Sequence, residues 1–128
     1  MSQRRGSVFL FLQAFTLIAL YITQQIGFYY FEFDPNNGFF AISHILGGMW
    51  VAFAVSWLLA LMGKRPSMIA CVILALLVGV VWEYFEVVAF LTYPEFPGYI
   101  SDTISDLVMD TLGGLLGAII ALRIAMRR

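Results

Sequence analysis

One histidine and four of the eight acids in this sequence stand where a polar side chain is unexpected, and they are of types that bind metal ions or move protons. They lie within apolar stretches, at His44, Glu83, Glu86, Asp106 and Asp110. Glu83 and Glu86 are three residues apart and Asp106 and Asp110 are four apart, so each pair shares one face of a helix. Carboxylates brought close together cannot all stay ionised without compensation. The group is therefore predicted either to share protons or to hold a cation.

Carboxylates with a single imidazole suit a divalent ion such as Mg²⁺, Mn²⁺, Fe²⁺ or Zn²⁺. All five residues are predicted metal ligands, and Glu83, Asp110 or His44 is the candidate general base. Two simpler interpretations stay open. His44 can be a core histidine that donates to a carbonyl or to one of the acids, and Asp102 can be an acid that stabilises the first turn of a helix.

The elements that carry these residues are predicted to be membrane-spanning helices. Of the 128 residues, 62% are apolar and 12% are charged, against about half and a quarter in an average soluble domain. Charges and prolines divide the chain into four apolar stretches, each with the roughly 20 residues that a helix needs to cross a bilayer. The fold class is all-α, a polytopic membrane protein formed by one four-helix domain, with helices at about 8–30, 39–62, 67–93 and 102–126.

The connections between these helices are short, so successive helices are expected to be antiparallel. Turn-forming residues stand at Asp34–Gly38, Gly63–Pro66 and Pro94–Gly98. All seven basic residues then fall on one side of the membrane, which predicts cytoplasmic N- and C-termini in the plasma (inner) membrane. The acids fall toward the opposite, outer side.

A charged group at the centre of a bilayer costs about 2.5 to 3.5 kcal/mol even on a lenient scale, so the acids are predicted to face the bundle interior. At about 1.5 Å per residue, the five side chains fall in two adjacent layers of the outer half. Gln24 or Gln25 is expected to complete that layer from the first helix. Gly113 and Gly117 continue the Asp106–Asp110 stripe and form a small-residue seam, a candidate contact for a homo-oligomer.

Two classes of function are excluded. The net charge of −1 leaves no basic surplus to neutralise a phosphate backbone, so nucleic acid is not an expected partner. The single cysteine, Cys71, cannot form an internal disulfide or supply a paired-thiol motif.

The pattern of acids and glycines resembles a known family. His44, Glu83–Glu86 and the run from Asp106 through Gly113 to Gly117 resemble the VanZ-like small membrane proteins and the related YjdF-like inner-membrane family. The similarity spans about residues 44–117 and omits the first helix. What the resemblance implies is a helical core with an acidic site and a role in the cell envelope; it does not imply a reaction.

Three functions are compatible with these observations. The first is a divalent-metal site that binds or acts on a phosphorylated lipid from the outer leaflet. The second is a proton or cation pathway. It is disfavoured because the cytoplasmic halves of the later helices contain almost no polar residue besides Ser56. The third is a structural or assembly protein in which the acids share protons.

Overall fold

The computed structural model describes residues 3–31 and 38–127, which form four α-helices and no β-strand. The helices are α1 (Gln3–Phe31), α2 (Ala41–Leu61), α3 (Met68–Val88) and α4 (Tyr99–Met126). Each is long and apolar enough to cross a membrane. The predicted all-α four-helix membrane bundle is confirmed. Of the predicted turns, residues 34–37 lie outside the described part of the chain, as do Glu32 and Arg128.

The connection between α2 and α3 has the expected turn chemistry. Gly63 follows α2 with a positive φ of 71°, and the N–H of Lys64 donates to the carbonyl of Leu59 at 2.8 Å. This is the backbone arrangement in which glycine commonly ends a helix. Ser67 then starts α3, and its hydroxyl accepts a hydrogen bond from the N–H of Ala70 at 3.3 Å.

Helix α3 ends earlier than predicted, at Val88 instead of Tyr93. Phe90 takes the left-handed position after the helix, with φ 58°, and the N–H of Leu91 donates to the carbonyl of Glu86 at 2.9 Å. Glycine usually occupies that position, so the apolar run through Phe90 gave no sign of the helix end. The predicted boundary followed hydropathy, whereas the chain ends the helix with a backbone turn.

Helix α4 begins earlier than predicted, at Tyr99 instead of Asp102. Gly98 precedes it with φ 88°, and the N–H of Asp102 already donates to the Gly98 carbonyl at 2.9 Å. Asp102 is therefore an exposed acid in the first turn of α4, where the helix dipole favours a negative charge.

Helices α2 and α4 form the most extensive interface of the bundle, and glycines allow their backbones to touch. Added to Gly113, a methyl group would overlap with the carbonyl of Ile45, and on Gly117 it would lie 2.7 Å from the Cβ of Ala52. Gly48 of α2 faces the carbonyl of Asp110 in the same way. In the single chain the seam is thus occupied by α2. Oligomer formation itself stays a prediction.

The basic end of the bundle, near Lys64 and Arg65, contains the apolar core. The buried residues of this core come from three helices and are Val51, Ala52, Val55, Cys71, Ala75 and Ala118. Many large apolar side chains elsewhere point outward from all four helices. Such outward apolar surface matches a lipid environment, in which the polar groups are the ones that must be covered.

Candidate functional site

The antiparallel order of α2, α3 and α4 brings three predicted site residues to one end of the bundle, here called the acidic end. His44 lies in the first turn of α2, Asp106 about two turns into α4, and Glu83 within two turns of the end of α3. The basic residues whose side chains the structure describes lie at the opposite end, at Lys64, Arg65, Arg123 and Arg127. Among the described residues, the histidine is therefore the only side chain near these carboxylates that can become positive.

His44, Glu83 and Asp106 form a compact donor group. Each offers one ligand atom, and the three atoms lie within 4.8 Å of one another. The Nε2 atom of His44 is 3.4 Å from Oδ2 of Asp106. Two ligands on opposite sides of a divalent ion are about 4 to 5 Å apart when each bond is 2.0 to 2.6 Å. A single ion can therefore contact all three donors with small side-chain adjustments.

Glu83 is the most deeply enclosed of the three, with 6% of its surface exposed. One carboxylate oxygen, Oε2, accepts a hydrogen bond from the Thr103 hydroxyl at 3.0 Å, which joins α3 to α4. The other oxygen, Oε1, is buried and has no hydrogen-bond partner among the described residues. Because a buried acceptor without a partner is unfavourable, this atom is suited to a proton or to a cation.

Asp110 lies one turn below Asp106 on α4 and is also 6% exposed. Its two carboxylate oxygens are each 3.4 Å from Nδ1 of His44. Helix α3 passes close to this side chain at Gly79, where a methyl group would overlap with Oδ2 and lie 3.0 Å from Cγ. Asp110 therefore contacts the histidine, but it does not belong to the three-residue donor group.

Glu86, a predicted ligand, is not one of the three residues of the donor group. Its Oε1 accepts a hydrogen bond from the indole N–H of Trp82 at 2.9 Å, on the exposed side of α3. Glu83 and Glu86 are only about 60° apart around the helix, so sequence spacing alone could not tell that Glu83 is the more buried of the two. The role of Glu86 as a metal ligand stays a prediction.

Gln24 is the glutamine of α1 that faces the bundle, while Gln25 is exposed. A methyl group on Gly27 of α1 would meet the ring of Phe40 at 2.7 Å, so α1 and α2 are in close contact at this level. One turn deeper, Oε1 of Gln24 and Oγ of Ser43 are both buried and have no hydrogen-bond partner among the described residues. Of Gln24 and Gln25, between which the sequence could not decide, Gln24 is therefore the one that faces the bundle.

Thr103 and Gly79 were missed by sequence reasoning, although helical periodicity carries a signal for both. Thr103 precedes Asp106 by three residues and Asp110 by seven, which places it on the same face of α4. Four residues apart, Cys71, Ala75, Gly79 and Glu83 form the buried stripe of α3. A row of small residues ending in an acid is the pattern that would have identified the position of Gly79.

The fold and the site together define a class of protein, a small multi-pass membrane protein with a histidine and carboxylates enclosed between three helices. The family of predicted membrane proteins designated DUF2238 matches residues 5–127, and the chain belongs to this family. The comparisons with curated proteins and with solved structures gave no match.

Proposed function

We propose that this membrane protein binds a divalent cation with His44, Glu83 and Asp106. The proposal is supported by the convergence of one donor from each of α2, α3 and α4 within 4.8 Å. The single observation that carries it is the Oε1 atom of Glu83, which is buried and lacks a hydrogen-bond partner among the described residues. A cation would satisfy that oxygen and offset the repulsion between the two carboxylates.

The donor chemistry favours some ions over others. Imidazole nitrogen suits Zn²⁺, Fe²⁺ and Mn²⁺, whereas Mg²⁺ prefers oxygen ligands and retains several waters. With His44 as one of three ligands, we propose Mn²⁺, Fe²⁺ or Zn²⁺ before Mg²⁺. Three protein ligands leave coordination positions open for water or for another molecule, which is typical of sites that bind a substrate.

The proposed ligand of the bound ion is the phosphate of a lipid headgroup. The donor group lies within about two to three helical turns of the acidic end, a depth that a headgroup can reach while its acyl chains stay in the bilayer. A phosphate would be repelled by Glu83 and Asp106 alone, so the ion is required to attract it. Catalysis on that phosphate would need one of the site groups, Glu83, Asp110 or His44, to act as a base.

The location is part of the proposal. The distribution of basic residues supports an inner-membrane protein with both termini in the cytoplasm and the acidic end toward the outside. The resemblance to VanZ-like and YjdF-like proteins supports a role in the cell envelope. The cation would then enter from the outer aqueous phase.

The test is metal content followed by lipid binding. Protein purified in mild detergent without chelator should contain close to one divalent ion, measured by elemental mass spectrometry, and Glu83→Gln should lose it. With Mn²⁺ restored, the protein in the same detergent should bind added phosphatidate more tightly than added diacylglycerol, which lacks the phosphate. Wild-type protein that is folded but takes up no Mn²⁺, Fe²⁺ or Zn²⁺ would overturn the proposal.

A second candidate function is supported by the position of the imidazole. Nε2 of His44 is 3.4 Å from Asp106 and Nδ1 is 3.4 Å from Asp110, so a protonated His44 would interact with both carboxylates. In that case the group is a structural cluster of side chains that share protons and join α2 to α4. Metal-free protein would then be as stable as protein with any added ion.

A proton or cation pathway receives less support. Between the donor group and the basic end lies the apolar core formed by residues such as Val55, Ala75 and Ala118. Its buried polar side chains interact locally, as with the Ser56 hydroxyl, 3.6 Å from the sulfur of Cys71. A proton or ion would have to cross this apolar layer to reach the other side.

A further inference from the structure

We infer that Asp110 is a positioning residue that orients the imidazole of His44 and is not itself a metal ligand. The inference rests on the proposed function, because it assigns a role to a residue beside the proposed donor group. Its basis is the geometry of the ring, whose two nitrogens face different carboxylates. Nδ1 is 3.4 Å from both oxygens of Asp110, while Nε2 is 3.4 Å from Asp106.

Asp110 is confined by three helices. Its own helix, α4, places it beneath Asp106; Gly79 of α3 lies against its carboxylate; and a methyl group on Gly47 of α2 would be 3.9 Å from its Oδ1. Because the side chain is 9% exposed and Gly79 lies against its carboxylate, the carboxylate has little freedom to turn away from His44. Asp110 therefore keeps a fixed contact with Nδ1 of His44.

A carboxylate at Nδ1 has a defined effect on a histidine. It accepts a hydrogen bond from Nδ1–H, and the ring then presents the lone pair of Nε2 on its other side. In His44 that side faces Oδ2 of Asp106, a member of the donor group, at 3.4 Å, so Nε2 is the nitrogen that would bind the ion. Histidines that bind metals usually donate their second ring N–H to such a partner, and loss of the partner typically weakens metal binding about 10- to 100-fold.

The alternative is that Asp110 is a fourth ligand, and a double-mutant cycle separates the two roles. Mn²⁺ affinity would be measured by electron paramagnetic resonance for wild type, Asp110→Asn, His44→Ala and the double variant. A residue that acts only through His44 should matter only while the imidazole is present. We expect Asp110→Asn to raise Kd about 10- to 100-fold in wild type and less than about threefold in His44→Ala.

The matched control is Asp102→Asn, which removes a negative charge from an exposed position on the same helix. It should leave the Mn²⁺ affinity within about threefold of wild type. An equal loss from Asp110→Asn in both backgrounds would overturn the inference and identify Asp110 as a ligand. Far-UV circular dichroism and size exclusion would verify that each variant is folded.

A second measurement does not depend on metal. His44 is the only histidine in the sequence, so ¹⁵N-histidine labelling gives the resonances of one ring. In metal-free wild type, Nδ1 should carry a proton, whether or not Nε2 is protonated as well. Asp110→Asn should increase the fraction of His44 that has no proton on Nδ1. Wild-type protein without a proton on Nδ1 would overturn the inference. Absence of Mn²⁺ binding with a protonated Nδ1 would instead overturn only the proposed metal site.

Discussion

Gly79 of α3 lies against the carboxylate of Asp110, so any side chain at position 79 would require Asp110 to shift. An added methyl group would overlap with Oδ2 and approach Cγ and Cβ to 3.0 and 3.2 Å. The entire Asp110 side chain, not just its tip, would have to move. Since this side chain contacts His44, a substitution of Gly79 is expected to displace His44 and so disturb the donor group, although it removes no donor.

Gly79→Ala should therefore weaken Mn²⁺ binding by about tenfold or more, because it displaces the residue that orients the imidazole. Gly6→Ala is the matched control, since nothing lies within 4 Å of a methyl group at that position of α1. Both variants change a helical glycine to alanine, so their effects on helix propensity are similar. Titration by electron paramagnetic resonance gives Kd directly, and equal affinities in the two variants would contradict the proposed contact.

The two glutamates of α3 should differ in their effect on metal binding. Glu83→Gln removes a proposed ligand and should raise the Kd for Mn²⁺ at least about tenfold. Glu86→Gln removes an acid from the same helix whose carboxylate contacts Trp82, and it should have a small effect. Isothermal titration of both variants in the same detergent makes the comparison. A larger loss from Glu86→Gln would mean that the two side chains exchange places when the ion is bound.

The sequence predicts much of this site because depth along a helix follows from residue number. His44, Glu83 and Asp106 could be assigned to neighbouring layers from a rise of about 1.5 Å per residue and the antiparallel order of the helices. Rotation about each helix axis was harder to predict. Glu83 and Glu86 differ by about 60°, and their surroundings, Thr103 for one and Trp82 for the other, distinguish them.

The partner of the glycine seam could not be predicted for a related reason. Periodicity identifies Gly113 and Gly117 as a face for close helix contact, but it does not indicate which helix makes that contact. In the bundle, the backbone of α2 at Ile45 and Met49 fills this face. Helix ends were predicted where glycine ends the helix, as at Gly63, and missed where Phe90 takes the left-handed conformation instead.

Topology provides a test of the proposed orientation. Both termini are expected in the cytoplasm, because all seven basic residues fall at the N-terminus, in the second connection or near the C-terminus. Reporter fusions after Gly38 and Pro97 should be active outside the membrane, and fusions after Arg65 and Arg128 should be active inside. A cytoplasmic signal from the Gly38 fusion would invert the bundle and place the donor group in the inner half.

Gly113→Ala tests whether the seam stabilises the single chain. The added methyl group overlaps with the carbonyl of Ile45, so α2 and α4 must separate, and overpacking of this kind usually costs about 1 to 3 kcal/mol. Thermal unfolding should show a lower midpoint than for Gly6→Ala. Light scattering on the same samples reports the oligomeric state. A change in that state with an unchanged midpoint would assign the seam to contacts between chains.

The dependence of stability on metal and pH distinguishes the cation site from a cluster of side chains that share protons. An ion that binds only the folded bundle adds about 2.7 kcal/mol of stability at a hundredfold excess over Kd. Carboxylates must lose their protons to bind it, so this contribution is present at higher pH and is lost as protons compete at lower pH. Chelator should therefore lower the thermal midpoint at about pH 7 to 8 and have little effect near about pH 5.

Glu83→Gln should show no chelator effect at either pH, while Asp102→Asn should behave as wild type. Equal midpoints with and without chelator across this range, in folded wild-type protein, would exclude the metal site and favour the protonated His44 between Asp106 and Asp110.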